Sequence, residues 1–435
     1  MAVSLGFHII FASIGMAMPF LMAISHYKWL RTGNATYFDI TKAWSRGVAI
    51  FFATGAVSGT ALSFELGLLW PKFMEKAGPI IGMPFSWEGT AFFIEAIALG
   101  LFLYGRKRLP PWIHWGVGVM VGISGVLSGI FVVCANAWMN SPAGFTWLGD
   151  HAVNIDPWKA MFNPAWKLQC LHMVLAAFEA SGFAVGGIHA FLLWRKPTSA
   201  FHREAFKIAL IFGTVAALIQ PLSGDRLAKS TAQRQPIKLA AMEAHFQTES
   251  GASLLIGGIP NVAEGRVDYG IKIPKLLSYL AYGDFHTEVK GLNAFPKEDW
   301  PPIFVVHLAF QVMVSVGSAL MALSAVFLFL TWRRSKLLFH SRMLLVFSAA
   351  TPLGFICLES GWVVTEVGRQ PWIIYGIMRT RDALTPMPGM IFPFAIFSAI
   401  YLFLFGVVSW LMWRHIYAVD HDYPSALETK LDQHD

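Results

Sequence analysis

Long apolar runs alternate with short polar segments along this chain. Nine runs, near residues 2–25, 46–70, 84–104, 112–138, 168–194, 203–220, 302–331, 342–364 and 388–413, are long enough to cross about 30 Å of hydrocarbon. None shows the period-two alternation of an outer-membrane barrel, so each is predicted to be a transmembrane helix. Every second connection is basic: Lys28, Arg31, Lys42 and Arg46; then Arg106, Lys107 and Arg108; Arg195, Lys196 and Arg203; Arg333, Arg334, Lys336 and Arg342; finally Arg414. Basic loops stay on the cytoplasmic side, which puts the N-terminus outside and the C-terminus inside.

The predicted fold class is therefore all-α, a polytopic nine-transmembrane-helix bundle. Residues 1–220 hold spans 1–6, 221–301 form one long outer-side loop, 302–414 hold spans 7–9, and 415–435 form a polar, frayed cytoplasmic tail. A connection of that length is more often functional than idle. The first segment has no basic n-region or A-x-A site and reads as a retained span. Gly55/Gly59, Gly118/Gly122 and Gly125/Gly129 read as helix-packing faces without chemistry.

Composition removes the competing classes. Of the 435 residues, 55% are hydrophobic and 14% charged, against about 25% charged in a soluble protein; so few charges cannot cover a water-facing surface. The net charge of +7 sits in topology-setting loops and does not imply nucleic acid. Cys134, Cys170 and Cys357 are scattered, without a CxxC, and read as packing residues.

Polar groups inside the spans carry the chemistry. A central carboxylate costs about 2.5–3.5 kcal/mol on insertion scales, yet Glu65, Glu88, Glu95, Glu179, Glu359 and Glu366 lie in or at the ends of spans. Glu88 and Glu95, like Glu359 and Glu366, are two helical turns apart and share a face. They are either buried, neutral, hydrogen-bonded acids or part of a proton path or ligand site. His8, His172, His189 and His307 are also intramembrane. With the N-terminus outside, His8, His172, Met313 and Glu366 collect in the outer half of different spans. A His and a thioether suit six-coordinate haem iron, whereas a ligand facing an open position suits haem that binds O2; for Met313 alone, core packing would be the default. The chain has no adjacent His-His pair, as a haem-copper oxidase requires, and no two apolar runs that each carry histidines 13 or 14 apart, as complex-III-type cytochrome b requires. Walker A and GxGxxG sequences are also absent.

GFHIIF in span 1, EGTAFFIEA in span 3, CANAWMNSP closing span 4, LHMVLAA opening span 5, PIKLAAMEAHFQT in the outer loop, AFQVMVSVG in span 7 and ESGWVVTEVGRQPW in span 8 together resemble subunit I of the cytochrome bd-type quinol oxidases along nearly the whole chain. The resemblance implies a terminal oxidase of the bacterial cytoplasmic membrane that oxidises quinol at the outer face and reduces O2 to water without copper. It implies three haems: a low-spin b, a high-spin b, and a d or further b. By that resemblance His8 and Glu366 are ligands at the oxygen-reducing centre, and His172 and Met313 are the axial pair of the low-spin haem. Lys238 and Glu243 act in quinol oxidation, which makes 221–301 the family's Q-loop. Glu88, Glu95 and Ser128 match a proton route to the oxygen site. Arg369 and Asn136 match polar groups around the haems, and Trp362 an aromatic neighbour.

Partners implied are subunit II, a small single-span subunit, lipid, O2 and either ubiquinol or menaquinol. Turnover that releases protons outside and takes them up inside would build a proton motive force without a pump. Independently of the resemblance, Glu243 suits a base for a quinol hydroxyl and Lys238 a cation for the resulting anion; the alternative is a solvated pair on a loop helix. The chain departs from the family pattern in two places. The usual Arg-x-Gln-Phe segment would fall before Met1, and Gln311 stands where some members carry Arg, which should change the low-spin haem's potential. A proton-coupled transporter is the rival reading; it predicts inverted repeats, and the sequence shows none.

Overall fold

The computed structural model describes residues 2–149, 151–384 and 388–422. Among them, nine helices are long and apolar enough to cross a membrane: α1 (Ala2–Thr32), α2 (Ala35–Leu69), α3 (Pro71–Tyr104), α4 (Pro111–Asn140), α5 (Trp166–Arg195), α6 (Ala200–Arg234), α7 (Ile303–Arg333), α8 (Ser341–Val367) and α9 (Ile391–Asp422).

Local chemistry sets the starts. Asn34 caps α2 by accepting from the Thr36 amide at 2.9 Å, and the Ser199 hydroxyl accepts from the His202 amide at the start of α6. Pro71 and Pro111 occupy first-turn positions of α3 and α4, where no amide hydrogen is needed. Short connections then force α1 to α4 into alternating directions. The bundle closes where α5 and α6 cross, because Gly182 meets Gly213: a Cβ on Gly182 would stand 2.5 Å from the Gly213 Cα.

Several helices depart from the lengths read in the sequence. α6 does not stop at Gln220 but continues through Pro221 to Arg234, so the first 14 residues assigned to the outer loop are helical. An i,i+4 pair, Lys229–Asp225 at 2.8 Å, supports the extension. α3 begins at Pro71 instead of residue 84. α8 consists of two pieces, Ser341–Ala349 and Leu353–Val367, interrupted just before Pro352. α9 extends to Asp422, so 415–422 are helical and not frayed; the rest of the expected tail, 423–435, lies outside the described residues.

One buried core, with Leu21, Ile40, Trp44, Phe102 and Val121, joins α1 to α4 near the basic-loop end. A second, with Phe183, Phe206, Phe327 and Phe347, joins α5 to α8. At the other end the long loop folds back over the helix ends. It holds a short helix, Pro236–Met242, another, Leu276–Tyr282, and antiparallel pairings of Leu254–Ile256 with Ile271–Ile273 and Ile259–Asn261 with Arg266–Asp268. A cluster of Ile237, Ala240, Met242, Val306 and Val364 seals the Pro236–Met242 helix against α7 and α8. Phe392, Leu402, Phe403 and Trp413 of α9 are exposed, as apolar side chains facing lipid would be.

Candidate functional site

The long loop and the ends of α4 and α8 meet in a continuous chain of buried polar groups. Asn140, in the last turn of α4, receives a 2.6 Å hydrogen bond from Lys238 Nζ at its Oδ1 and donates from Nδ2 to Asn136 one turn earlier. Asn136 Nδ2 donates to Glu366 Oε1 on α8. The other carboxylate oxygen of Glu366 accepts from Arg369 Nη2 at 2.6 Å. Lys238 also donates to the Thr365 carbonyl, and Gln235 Nε2 donates to the Asn140 carbonyl. The sequence sets Lys238, Asn136, Glu366 and Arg369 apart; the fold brings them together and adds Asn140 and Gln235, which sequence reasoning missed. Asn140 lies one turn after Asn136, and that spacing was the available signal.

Arg369 is the most telling member. It is 1% exposed, yet Nε and Nη1 have no partner among the described residues. Unpaired donors on a buried cation are costly, so this guanidinium suits an anionic group such as a haem propionate.

Lys238 and Glu243 are not a solvated pair. Both are buried, 5% and 4% exposed, and no hydrogen bond or ion pair joins them among the described residues. Lys238 points into the Asn140–Glu366 chain. Burial and the neighbouring Arg369 pull its ammonium down to about 7, partly offset by Glu366. Glu243 Oε2 has no partner, and burial pushes its carboxyl up to about 8. His307, at the start of α7, is fully buried and bonds through Nδ1 to the Met242 carbonyl at 2.8 Å, leaving Nε2 unpartnered beside this segment. The sequence marks His307 as intramembrane without assigning it a role.

His8 and His172 stand near the starts of α1 and α5. His8 Nδ1 lies 2.9 Å from Ser58 Oγ of α2, and His172 Nδ1 lies 2.8 Å from Ser223 Oγ of α6. Met313 of α7 sets its sulfur against Gly361 of α8, and α8 packs on both α5 and α7. Trp362 is half-buried and packs against residues of α4, α5 and α8. Gln311 does not face this region: its amide bridges the Gly257 amide and Leu255 carbonyl of the long loop.

On α3, Glu88 and Glu95 face α4, as their spacing requires. Ser128 Oγ is 3.5 Å from Glu88 Oε1, and Glu95 lies over Gly125, whose added Cβ would be 3.2 Å from its Oε1. The glycine pairs thus serve more than packing. Gly118, Gly122 and Gly129 do receive Phe102, Phe20 and Met16, but Gly59 faces the His8 ring, Gly125 faces Glu95, and Gly55 has nothing within 4 Å.

Among the described residues no three His, Cys, Asp or Glu side chains converge on a bare-ion site; the donors stand singly on separate helices. Imidazoles with one committed nitrogen, a thioether against a glycine and a buried guanidinium with spare donors all fit haem groups.

A family model described as cytochrome bd terminal oxidase subunit I matches residues 1–419. A Bacillus subtilis chain, provisionally named cytochrome bd menaquinol oxidase subunit I, is 34% identical with 97% of each chain covered. A second from that organism, cytochrome bd ubiquinol oxidase subunit 1, is 30% identical over 96% of this chain and 92% of its own. The solved structure of bd oxidase from Geobacillus thermodenitrificans superposes with a TM-score of 0.91 at 35% identity, with 96% of each chain covered.

Proposed function

The chain belongs to the cytochrome bd terminal oxidase subunit I family, and from that premise we propose that it is the haem-binding subunit of a quinol oxidase that couples outer-face quinol oxidation to O2 reduction. Two quinols give four electrons and four protons, and one O2 takes up four of each to form two waters. The observation that carries this reading is the buried chain from Lys238 of the long loop through Asn140 and Asn136 to Glu366 and Arg369. It ties the expected quinol segment to the expected haem segment.

Three haems, two of b type and a third of d or b type, would supply electron relay and O2 reduction without copper. His172 and Met313 would hold the low-spin group, His8 and Glu366 the other two, and Arg369 would pair with a propionate. Within the Q-loop, ionised Glu243 accepts the proton of a quinol hydroxyl, and protonated Lys238 stabilises the oxyanion left behind. Burial makes both functional forms minority or borderline species near neutrality: Glu243 is ionised mainly above about 8, and Lys238 is charged mainly below about 7. His307, with its open Nε2, is a second acceptor beside Glu243. Glu88, Glu95 and Ser128 carry protons from the opposite face, so that turnover separates charge. The basic loops on alternate connections support an outside N-terminus and a cytoplasmic C-terminus. Subunit II and a single-span subunit complete the assembly.

The test is O2 uptake by the purified complex with a soluble quinol, and with an artificial electron donor that bypasses the quinol site. Lys238→Met and Glu243→Gln should abolish most quinol-driven uptake and leave the bypass reaction in place. Equal loss of both, or of neither, contradicts the assignment.

A further inference from the structure

Both proposed iron-binding histidines meet the same two-residue device on a neighbouring helix. His8 meets Ser58–Gly59 and His172 meets Ser223–Gly224. A serine hydroxyl has one hydrogen to give. Ser58 Oγ gives it to the Thr54 carbonyl at 2.9 Å, shared with the Gly55 carbonyl at 3.2 Å, and Ser223 gives it to the Gln220 carbonyl at 2.8 Å. With its hydrogen on the carbonyl, each hydroxyl is free to accept from the imidazole, an arrangement in which Nδ1 carries the proton and Nε2 keeps its lone pair. The Gln220 amide agrees independently: its Nε2, a donor, lies 3.4 Å from His172 Nε2.

The next residue gives the ring its space. A Cβ at Gly59 would stand 3.1 Å from His8 Cε1, and one at Gly224 3.5 Å from His172 Cε1. Successive helical residues are about 100° apart, so the hydroxyl grips the edge of the ring while the glycine clears its flank. Ser360–Gly361 repeats the pattern for a ligand with no N–H. Gly361 receives the Met313 sulfur, with an added Cβ 3.1 Å away, but Ser360 turns to the Ile356 carbonyl.

We propose that Ser58–Gly59 and Ser223–Gly224 are paired positioning devices that fix tautomer and ring rotation so that each Nε2 is presented to haem iron. This rests on the haem-ligand reading above. A hydroxyl accepting from Nδ1–H makes the imidazole a stronger electron donor, which stabilises ferric iron and lowers the reduction potential. Neither serine is a ligand or a proton carrier in this scheme.

The test is redox titration of the visible bands of the intact complex, with resonance Raman detection of the iron–imidazole stretch and haem quantified per chain. Ser223→Ala should raise the low-spin haem's midpoint, soften its stretch and weaken haem retention by roughly 10–100-fold, and Ser223→Thr should restore all three. Ser58→Ala should act only on the high-spin signals, and Ser360→Ala on neither set. Gly59→Ala should perturb its haem more than Gly224→Ala, because its contact is the tighter. If an alanine variant fails to assemble, Ser223→Cys decides, since a thiol is a weak acceptor and the midpoint should rise relative to Ser223→Thr. Haem-loaded variants with wild-type midpoints and stretches overturn the proposal alone. A wild-type complex without haem overturns the ligand reading beneath it.

Discussion

Histidines sit at both ends of this bundle, and the two sets are bonded differently. At the basic-loop end His189 is closed on both sides: the Trp44 indole donates to its Nε2 at 3.2 Å, so its Nδ1 carries the hydrogen that meets His202 Nδ1 at 3.1 Å. His114 bonds the Phe102 carbonyl and stacks on that residue's ring. Even His26, whose Nδ1 has no partner, is packed among the rings of Trp29, Phe102 and His114. At the long-loop end His8, His172 and His307 each commit Nδ1 to a serine or a carbonyl; at Nε2, His172 meets only the Gln220 amide at 3.4 Å, and His307 has no partner among the described residues. A histidine in a membrane is therefore not in itself a sign of ligation. A single anchored nitrogen is not sufficient either, since His114 and His307 share it; what sets His8 and His172 apart is a serine at Nδ1 with a glycine beside the ring.

The comparison breaks most easily by exchanging the ends. His172→Ala should remove the low-spin haem and its reduced-minus-oxidised bands. His189→Ala should keep every haem and cost only about 1–3 kcal/mol of stability, because the Trp44 and His202 groups lose their partner; haem spectra and thermal unfolding read the two effects. A smaller but more diagnostic loss is expected at Glu243. Because its carboxyl titrates near 8, the base form should grow about tenfold per pH unit from 6 towards 8, and quinol turnover with it. Loss of the Lys238 ammonium above about 7 bends the profile over, giving a maximum between 7 and 8. Glu243→Gln should lower turnover roughly 10²-fold, in the range of general-base catalysis, and remove the rising limb; an unchanged limb would assign it to another group. The mildest change is Ser128→Ala. Its 3.5 Å contact to Glu88 is at the limit of a hydrogen bond, so the loss should be about 0.5 kcal/mol, near a factor of two in proton-coupled turnover. A collapse of turnover would make Ser128 a required carrier.

The span count was legible because about 20 apolar residues in lipid leave the chain little choice but a helix. Helix ends were not, because hydropathy falls where packing continues: α6 runs past Pro221 on its Asp225–Lys229 pair and contacts with the loop. The ligand candidates could be read one by one, since lipid penalises each polar group separately. Their partners could not, because Ser58 and Ser223 are 50 and 51 residues away from their histidines. For the same reason the sequence left open whether Lys238 is buried or a solvated charge. Its helix carries polar and apolar residues alike, and only the fold shows that α4, α7 and α8 close over it.

Everything chemical here depends on iron porphyrin held between these helices. The direct measurement is a pyridine haemochrome assay, with a reduced-minus-oxidised spectrum, on the complex purified with its companion subunits in mild detergent. Three haems per chain are expected, one of them lost in His172→Ala. Intact, fully assembled protein without haem absorption would contradict the account.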